Sequence, residues 1–385
     1  MKSRSNNRVS SCSLYPERHP AGTHILVSPP SDELLSLLDK SIVAFSSLFI
    51  VGSVAWVPFA VAWAWKRWKT RLIQANNIES NSNEKTCHRN RNWNVLYSYL
   101  LLTCIISIPI LGPHRYPQVG EWLGVRRWNI WKRWLRYIAF EVVADSAKAA
   151  ANVKREDAIV AISPHGIFPF ALAFAALPQL AYDTFGSIRP VVATATNLFP
   201  FVNTLLKWLQ SVDASRYSVD KALSSGVRLG LAPGGISEMF EGFPKPGTHP
   251  DEEYAITRHK GFLKLAMKHR KAVIPIYCFG ASKMFRRLQL PSFFERISKV
   301  LKTSIVIFFG SWGLPIPFRQ RLLYVVGEPI FPRYIAEGKS MPMEGTQDYQ
   351  HQLDELHSKF CAALTKLFER HKESYGWGHK VLKLI

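Results

Sequence analysis

Apolar residues fall into two regimes along this chain. Up to about residue 145 they form long runs separated by basic stretches, and beyond residue 155 they form short runs punctuated by Gly and Pro. The short runs Ala158–Ile162, Pro190–Thr196, Val227–Ala232, Ala272–Phe279, Ile305–Phe309 and Leu322–Val326 predict strands. Between and after them, Ile167–Tyr182, Phe201–Gln210, His259–His269, Phe293–Leu301 and Asp348–Ser374 predict helices. Strands alternating with helices indicate an α/β fold with a mainly parallel sheet flanked by helices. No internal repeat or separate second domain is visible.

The first regime reads differently. Ser41–Trp65 has no charged side chain. As a helix it would be ~37 Å long, against a hydrocarbon core of about 30 Å. Trp56, Trp63 and Trp65 suit an interface, and Lys66, Arg67, Lys69 and Arg71 follow at once. Pro58 is tolerable in a membrane helix. A second run, Val95–Gly112, would reach ~27 Å, with Pro109 near its end. One or two membrane helices are therefore expected. The basic loop between the runs conflicts with a simple hairpin, so a re-entrant or interfacial second run stays open. In Gly120–Asp145, Trp128, Trp131, Trp134, Leu135, Ile138 and Val142 line one face of a helix from Trp128 onward. That stripe suits a membrane interface or a packed core equally. Ser, Pro, Arg and Asn dominate residues 1–40, which are expected to be mostly disordered. The divisions are a tail at 1–40, a membrane-embedding segment at 41–112 and a catalytic domain at 113–385.

Charge narrows the partners. The net charge of +21, with 47% hydrophobic residues, favours anionic surfaces such as phospholipid headgroups. Nucleic acid is disfavoured, because no zinc-finger, basic-zipper or RNA-binding aromatic pattern occurs. Five scattered cysteines (Cys12, Cys87, Cys104, Cys278, Cys361) indicate neither a disulfide framework nor a zinc site. No Asn-x-Ser/Thr sequon occurs. Both facts suit a cytosolic catalytic part. No metal is indicated.

Candidate chemistry centres on Ser163-Pro164-His165-Gly166, where a strand end, a tight turn and a helix start are expected. An imidazole there can take a proton from a hydroxyl near neutral pH. No Gly-x-Ser-x-Gly elbow is present. Ser163 stays as a minor nucleophile or substrate-binding candidate. Cys278, in an apolar strand, reads as inert packing.

The block resembles the His-Pro-His-Gly block of the type-2 diacylglycerol acyltransferase family, which includes monoacylglycerol and wax-alcohol acyltransferases. Further blocks follow in family order. Arg126-Arg127-Trp128-Asn129-Ile130-Trp131 resembles the family's basic-aromatic entry, and Pro233-Gly234-Gly235-Ile236-Ser237-Glu238 its Pro-Gly-Gly-x-x-Glu. Lys260-Gly261-Phe262, Ile274-Pro275-Ile276-Tyr277-Cys278-Phe279-Gly280, Val325-Val326-Gly327-Glu328-Pro329-Ile330 and Leu367-Phe368-Glu369-Arg370-His371-Lys372 continue the likeness. There are two departures: Ser163 replaces a His, and Ala281-Ser282-Lys283 replaces Glu-Asn-Glu.

The resemblance implies a glycerolipid acyltransferase-like fold and acyl transfer from acyl-CoA, as substrate and not cofactor, to diacylglycerol. Monoacylglycerol, wax-alcohol or sterol acceptors are the alternative within that class. A non-catalytic lipid-binding or lipid-droplet protein is the alternative outside it. His165 is the expected general base, with Glu238 orienting or charge-stabilising it. The more distantly similar glycerophosphate acyltransferases place an Asp five residues after the His; here that position is Phe170, so the acid must come from elsewhere. Gly166, Gly234 and Gly235 are candidate oxyanion or phosphate-binding positions, and Arg216, Arg258 and Lys260 are candidate substrate-side cations. The expected setting is the endoplasmic reticulum membrane with access to lipid droplets. A homo-oligomer is left open.

Overall fold

Ala272–Phe279 carries no charged side chain over eight residues, as a strand covered on both faces requires. The computed structural model describes residues 19–30, 35–79, 85–111, 122–198, 200–301 and 306–385. Its strands are β1 (His24–Val27), β2 (Glu141–Ala144), β3 (Ala158–Ser163), β4 (Arg189–Val192), β5 (Val212–Asp213), β6 (Leu229–Leu231), β7 (Glu252–Ala255), β8 (Ala272–Phe279), β9 (Arg286–Arg287), β10 (Phe308–Phe309), β11 (Leu323–Val326) and β12 (Val381–Leu384). Its helices are α1 (Leu37–Ile50), α2 (Ser53–Glu79), α3 (Lys85–Leu111), α4 (Asn129–Tyr137), α5 (Ala147–Asn152), α6 (Phe170–Ala176), α7 (Gln179–Phe185), α8 (Pro200–Trp208), α9 (Arg216–Ser224), α10 (Gly235–Glu238), α11 (Gly261–Lys268), α12 (Ser292–Leu301), α13 (Arg333–Ala336) and α14 (Gln347–Tyr375).

The main sheet has the order β1-β2-β11-β8-β3-β6-β4-β5. Strands β8, β3, β6, β4 and β5 run parallel. The other half is mixed, since β11 is antiparallel to β8, and β1 is antiparallel to β2. Helices cover both faces. Trp134, Phe174 and Phe185 pack on one side, and Leu263, Phe360 and Phe368 on the other. The parallel strands end along one edge, where an α/β sheet offers its crevice.

Several expectations need correction. Phe308–Phe309 lies outside the main sheet and pairs with β9. Ile167–Tyr182 is two helices, because Pro178 lacks the N–H that a continuous helix needs and caps α7 instead. The Trp stripe is shorter than its periodicity suggests. Helix α4 stops at Tyr137 and Val142 belongs to β2, while Trp131 and Trp134 are buried, with Trp134 against Phe170 and Phe174.

The N-terminal half departs most. Residues 1–18 lie outside the described residues, but His24–Val27 is an ordered strand on β2. Without it β2 would be an open edge, and His19 adds a 2.7 Å contact to Glu141. Among the described residues no helix is long and apolar enough to cross a membrane. Ser41–Trp65 is split between α1 and α2 at Val51-Gly52. Helix α1 docks on α4 through polar groups: Asp39 pairs with Arg133 and Arg136, and Ser46 accepts from Trp134 Nε1. Such groups need protein partners that lipid does not offer. The second run is part of α3, which packs on α2; Gly112 lies outside the described residues.

Candidate active site at the end of strand β3

Strand β3 is buried throughout. Pro164, joined to Ser163 by a cis bond, has no N–H, so the ladder ends there. The next N–H, that of His165, is free to leave the sheet. It donates to Glu238 Oε2 at 2.5 Å. The His165 ring turns back on its own loop, with Nδ1 2.7 Å from the Gly166 carbonyl oxygen. A carbonyl only accepts, so Nδ1 carries the proton and Nε2 keeps its lone pair. Burial holds the His165 pKa below the ordinary histidine value, against the Gly166 hydrogen bond. The half-buried imidazole is neutral at neutral pH and basic at Nε2.

Gly166 is required twice over. Its φ is +73°, and an added Cβ would lie 2.7 Å from the Ala281 carbonyl oxygen. The loop that departs from the family pattern thus packs directly on the histidine turn. Gly234 and Gly235 sit at the turn that leads into α10. A Cβ at Gly234 would meet the Glu238 carboxyl at 2.6 Å. Gly235, at φ +49°, donates its N–H to Ala232 at 3.1 Å, so that donor is already spent on a turn. Gly234 leaves the space that the Glu238 carboxyl fills.

Glu238 does not touch the imidazole. Its Oε2 takes the His165 N–H and its Oε1 takes the Ile256 N–H at 2.9 Å. The carboxyl is a bracket between two backbone segments. Burial pushes its pKa up to about 7, and the two N–H donors act against that rise.

Sequence reasoning missed what lies behind the bracket. Glu253 is buried and meets Lys283 at 2.8 Å, Lys380 at 2.6 Å and the Ser282 hydroxyl at 2.6 Å. A carboxylate from β7 therefore faces the loop whose acidic positions are replaced here. Strand β12 pairs with β7 and fixes the register that delivers Ile256 to Glu238. The Ile256 N–H and Gly166 carbonyl carry no side-chain signal. Glu253 and Lys380 are 127 residues apart, beyond local pattern. The Ser163 Oγ and Tyr277 hydroxyl, in register across β3 and β8, are buried with no hydrogen-bond partner among the described residues.

The three expected cations do come together. Arg216, Arg258 and Lys260 line one cleft of about 470 Å³ with His259, Lys264 and Gln350. His165 does not line it. Lys264 was legible as the next turn of α11 after Lys260.

Residues 87–384 match the diacylglycerol acyltransferase family, and the chain belongs to it. The family places the chain among the O-acyltransferases of lipid metabolism. Among its relatives, diacylglycerol O-acyltransferase 2-like protein 6 of Bos taurus is 29% identical over 66% of this chain and 76% of its own. Acyl-CoA wax alcohol acyltransferase 1 of Homo sapiens is 26% identical over 73% and 88%. Diacylglycerol O-acyltransferase 2 of Homo sapiens is 26% identical over 69% and 68%.

Proposed function

We propose that the protein transfers a fatty acyl group from acyl-CoA to the hydroxyl of diacylglycerol, with His165 as general base. The observation that carries this reading is the His165 turn: a neutral imidazole whose Nδ1–H is held by Gly166, leaving Nε2 without a partner among the described residues at the end of β3. Nε2 takes the acceptor's proton as its oxygen attacks the thioester carbon. The tetrahedral intermediate then expels the CoA thiolate, which receives that proton from the imidazolium. Glu238 keeps the histidine in place through its backbone.

A wax alcohol is the second acceptor reading, favoured by equal identity to the human wax alcohol and diacylglycerol relatives. Attachment to an endoplasmic reticulum membrane surface is part of the proposal. Its support is exposed aromatic surface on α1 and α2, where Phe45 and Phe59 are each 72% exposed.

The test is acyl transfer in membranes from a host lacking triacylglycerol synthesis, with labelled oleoyl-CoA. Diacylglycerol, monoacylglycerol, fatty alcohol and sterol are compared as acceptors, with His165→Ala alongside. Labelled triacylglycerol that disappears in the variant is expected. Absence of product from every acceptor, with the protein folded, favours a lipid-binding role instead.

A further inference from the structure

Two clefts share a wall at the edge where the parallel strands end. The basic one, described above, has Arg216, Arg258, Lys260 and Lys264 around it and no lining carboxylate. Lys260 is engaged with Asp354 at 2.6 Å, whereas Arg216, Arg258 and Lys264 have no side-chain partner among the described residues. Helix α11 begins in this cleft without a side-chain cap, so its first N–H groups face the same space. Helix α9 begins there too, at Arg216. Uncommitted cations beside an uncapped helix start form a site for phosphate.

The second cleft, about 620 Å³, shares Arg216, His259 and Lys264 and is more apolar. It runs to Leu231, Ala232 and Pro233 at the end of β6. Pro233 is followed by Gly234, which lies against the Glu238 carboxyl, and that carboxyl holds the His165 N–H. A basic mouth thus adjoins a less polar slot that ends at Pro233, one residue before the glycine that lies against the carboxyl holding the histidine turn. An acyl-CoA has the same order of chemistry: phosphates at one end, a pantetheine arm, then the thioester.

Resting on the acyl-CoA reading above, we infer that this double cleft seats the donor. The phosphorylated nucleotide binds between Arg216, Arg258 and Lys264 at the α11 N-terminus, and the pantetheine arm follows the second cleft to His165. Arg258 and Lys264 are then the residues that distinguish CoA from donors lacking the 3′-phosphate.

The experiment measures binding of fluorescent adenosine 3′,5′-bisphosphate to the full chain by anisotropy. Binding that weakens about tenfold in Arg258→Ala and in Lys264→Ala, and recovers in Arg258→Lys, is expected. No binding, or equal binding in all forms, overturns the inference. In a second arm the kcat/KM ratio between oleoyl-CoA and oleoyl-3′-dephospho-CoA is compared. The ratio collapses toward one in Arg258→Ala if the assignment holds, and an unchanged ratio overturns it. Phosphatidate vesicles provide a third arm: variants that lose vesicle binding but keep the nucleotide assign the cations to lipid headgroups and overturn the inference. Nucleotide binding does not require turnover, so it stands or falls apart from the acyl-transfer assay.

Discussion

His165 and His371 are two histidines with opposite surroundings. His371, on α14, is fully buried, with Nε2 3.2 Å from Asp145 Oδ1, and Asp145 also meets Arg370 at 2.8 Å and Lys366 at 3.4 Å. Burial alone would raise the Asp145 carboxyl, but His371, Arg370 and Lys366 outweigh it and hold its pKa below the usual value. Among the described residues, no carboxylate bonds to the His165 ring. Its acid grips the backbone instead, and a carbonyl sets the tautomer. The pair that looks more like part of a triad is the one sealed in the core, three strands across the sheet from His165. A buried His–Asp contact can serve packing alone, and a backbone carbonyl alone can set the tautomer of an imidazole.

The largest effect that could break this contrast is a swap of roles. His165→Ala is expected to lose turnover by about 10²–10⁴-fold, with thermal unfolding near wild type. His371→Ala is expected to cost about 2–4 kcal/mol of stability, as large-to-small core changes do, with kcat of the folded fraction retained. Turnover and thermal unfolding measured on the same preparations decide it. A His371 variant that folds normally but does not turn over sinks the distinction.

The two carboxyls sharpen the comparison through pH. Glu238 has a folded pKa of about 7, above its ordinary value of 4.5. The folded state holds an extra proton in that window, so its contribution is full below pH 4.5 and is lost as pH rises through 7. Asp145 has the opposite sign, since its lowered pKa stabilises above pH 3.8 and that stability is lost in acid. Glu238→Gln should therefore flatten the decline in stability between pH 4.5 and 7, and Asp145→Asn should flatten the acid limb. Glu238→Gln also leaves one of two backbone N–H groups without its acceptor, at about 1–3 kcal/mol. A Glu238→Gln stability curve that keeps its slope between pH 4.5 and 7 would count against Glu238 as the buried carboxyl that takes up a proton in this window.

A smaller effect is expected at Gly166. Gly166→Ala places a Cβ against the Ala281 carbonyl in a left-handed turn, at about 1–2 kcal/mol. If the turn carries the base as proposed, kcat should fall more than KM rises. Wild-type kcat with unaltered unfolding would show that the turn tolerates displacement.

The same division between side chain and backbone explains what the sequence could reveal. The apolar run Ala272–Phe279 matches its strand in full, because its pattern is its burial. His165 and Glu238 stand out through residue type and turn context, and the likeness to the family joins them. Their contact does not, because it runs through a backbone N–H that every residue but Pro possesses. Ser41–Trp65 misleads for a related reason. Its composition reads as one span, but Asp39 just before it and the Gly52 break dock it against Arg133, Arg136 and Trp134, partners found only in three dimensions.

The smallest expected change is also the most discriminating about mechanism. Ser163 stands two residues before His165, with an Oγ that is buried and lacks a partner among the described residues. Were it a nucleophile forming an acyl-enzyme, Ser163→Ala would abolish turnover as fully as His165→Ala. If His165 acts directly on the acceptor hydroxyl, removing an unsatisfied buried hydroxyl costs nothing and stabilises slightly, by up to about 1 kcal/mol. The geometry favours the second outcome, because an unbonded Oγ has no base to activate it, and the His165 ring is turned toward Gly166. Ser163→Ala is therefore expected to keep kcat within about threefold and unfold at or above the wild-type temperature. Loss of turnover with a stable fold would move the covalent step onto Ser163 and recast His165 as its activator.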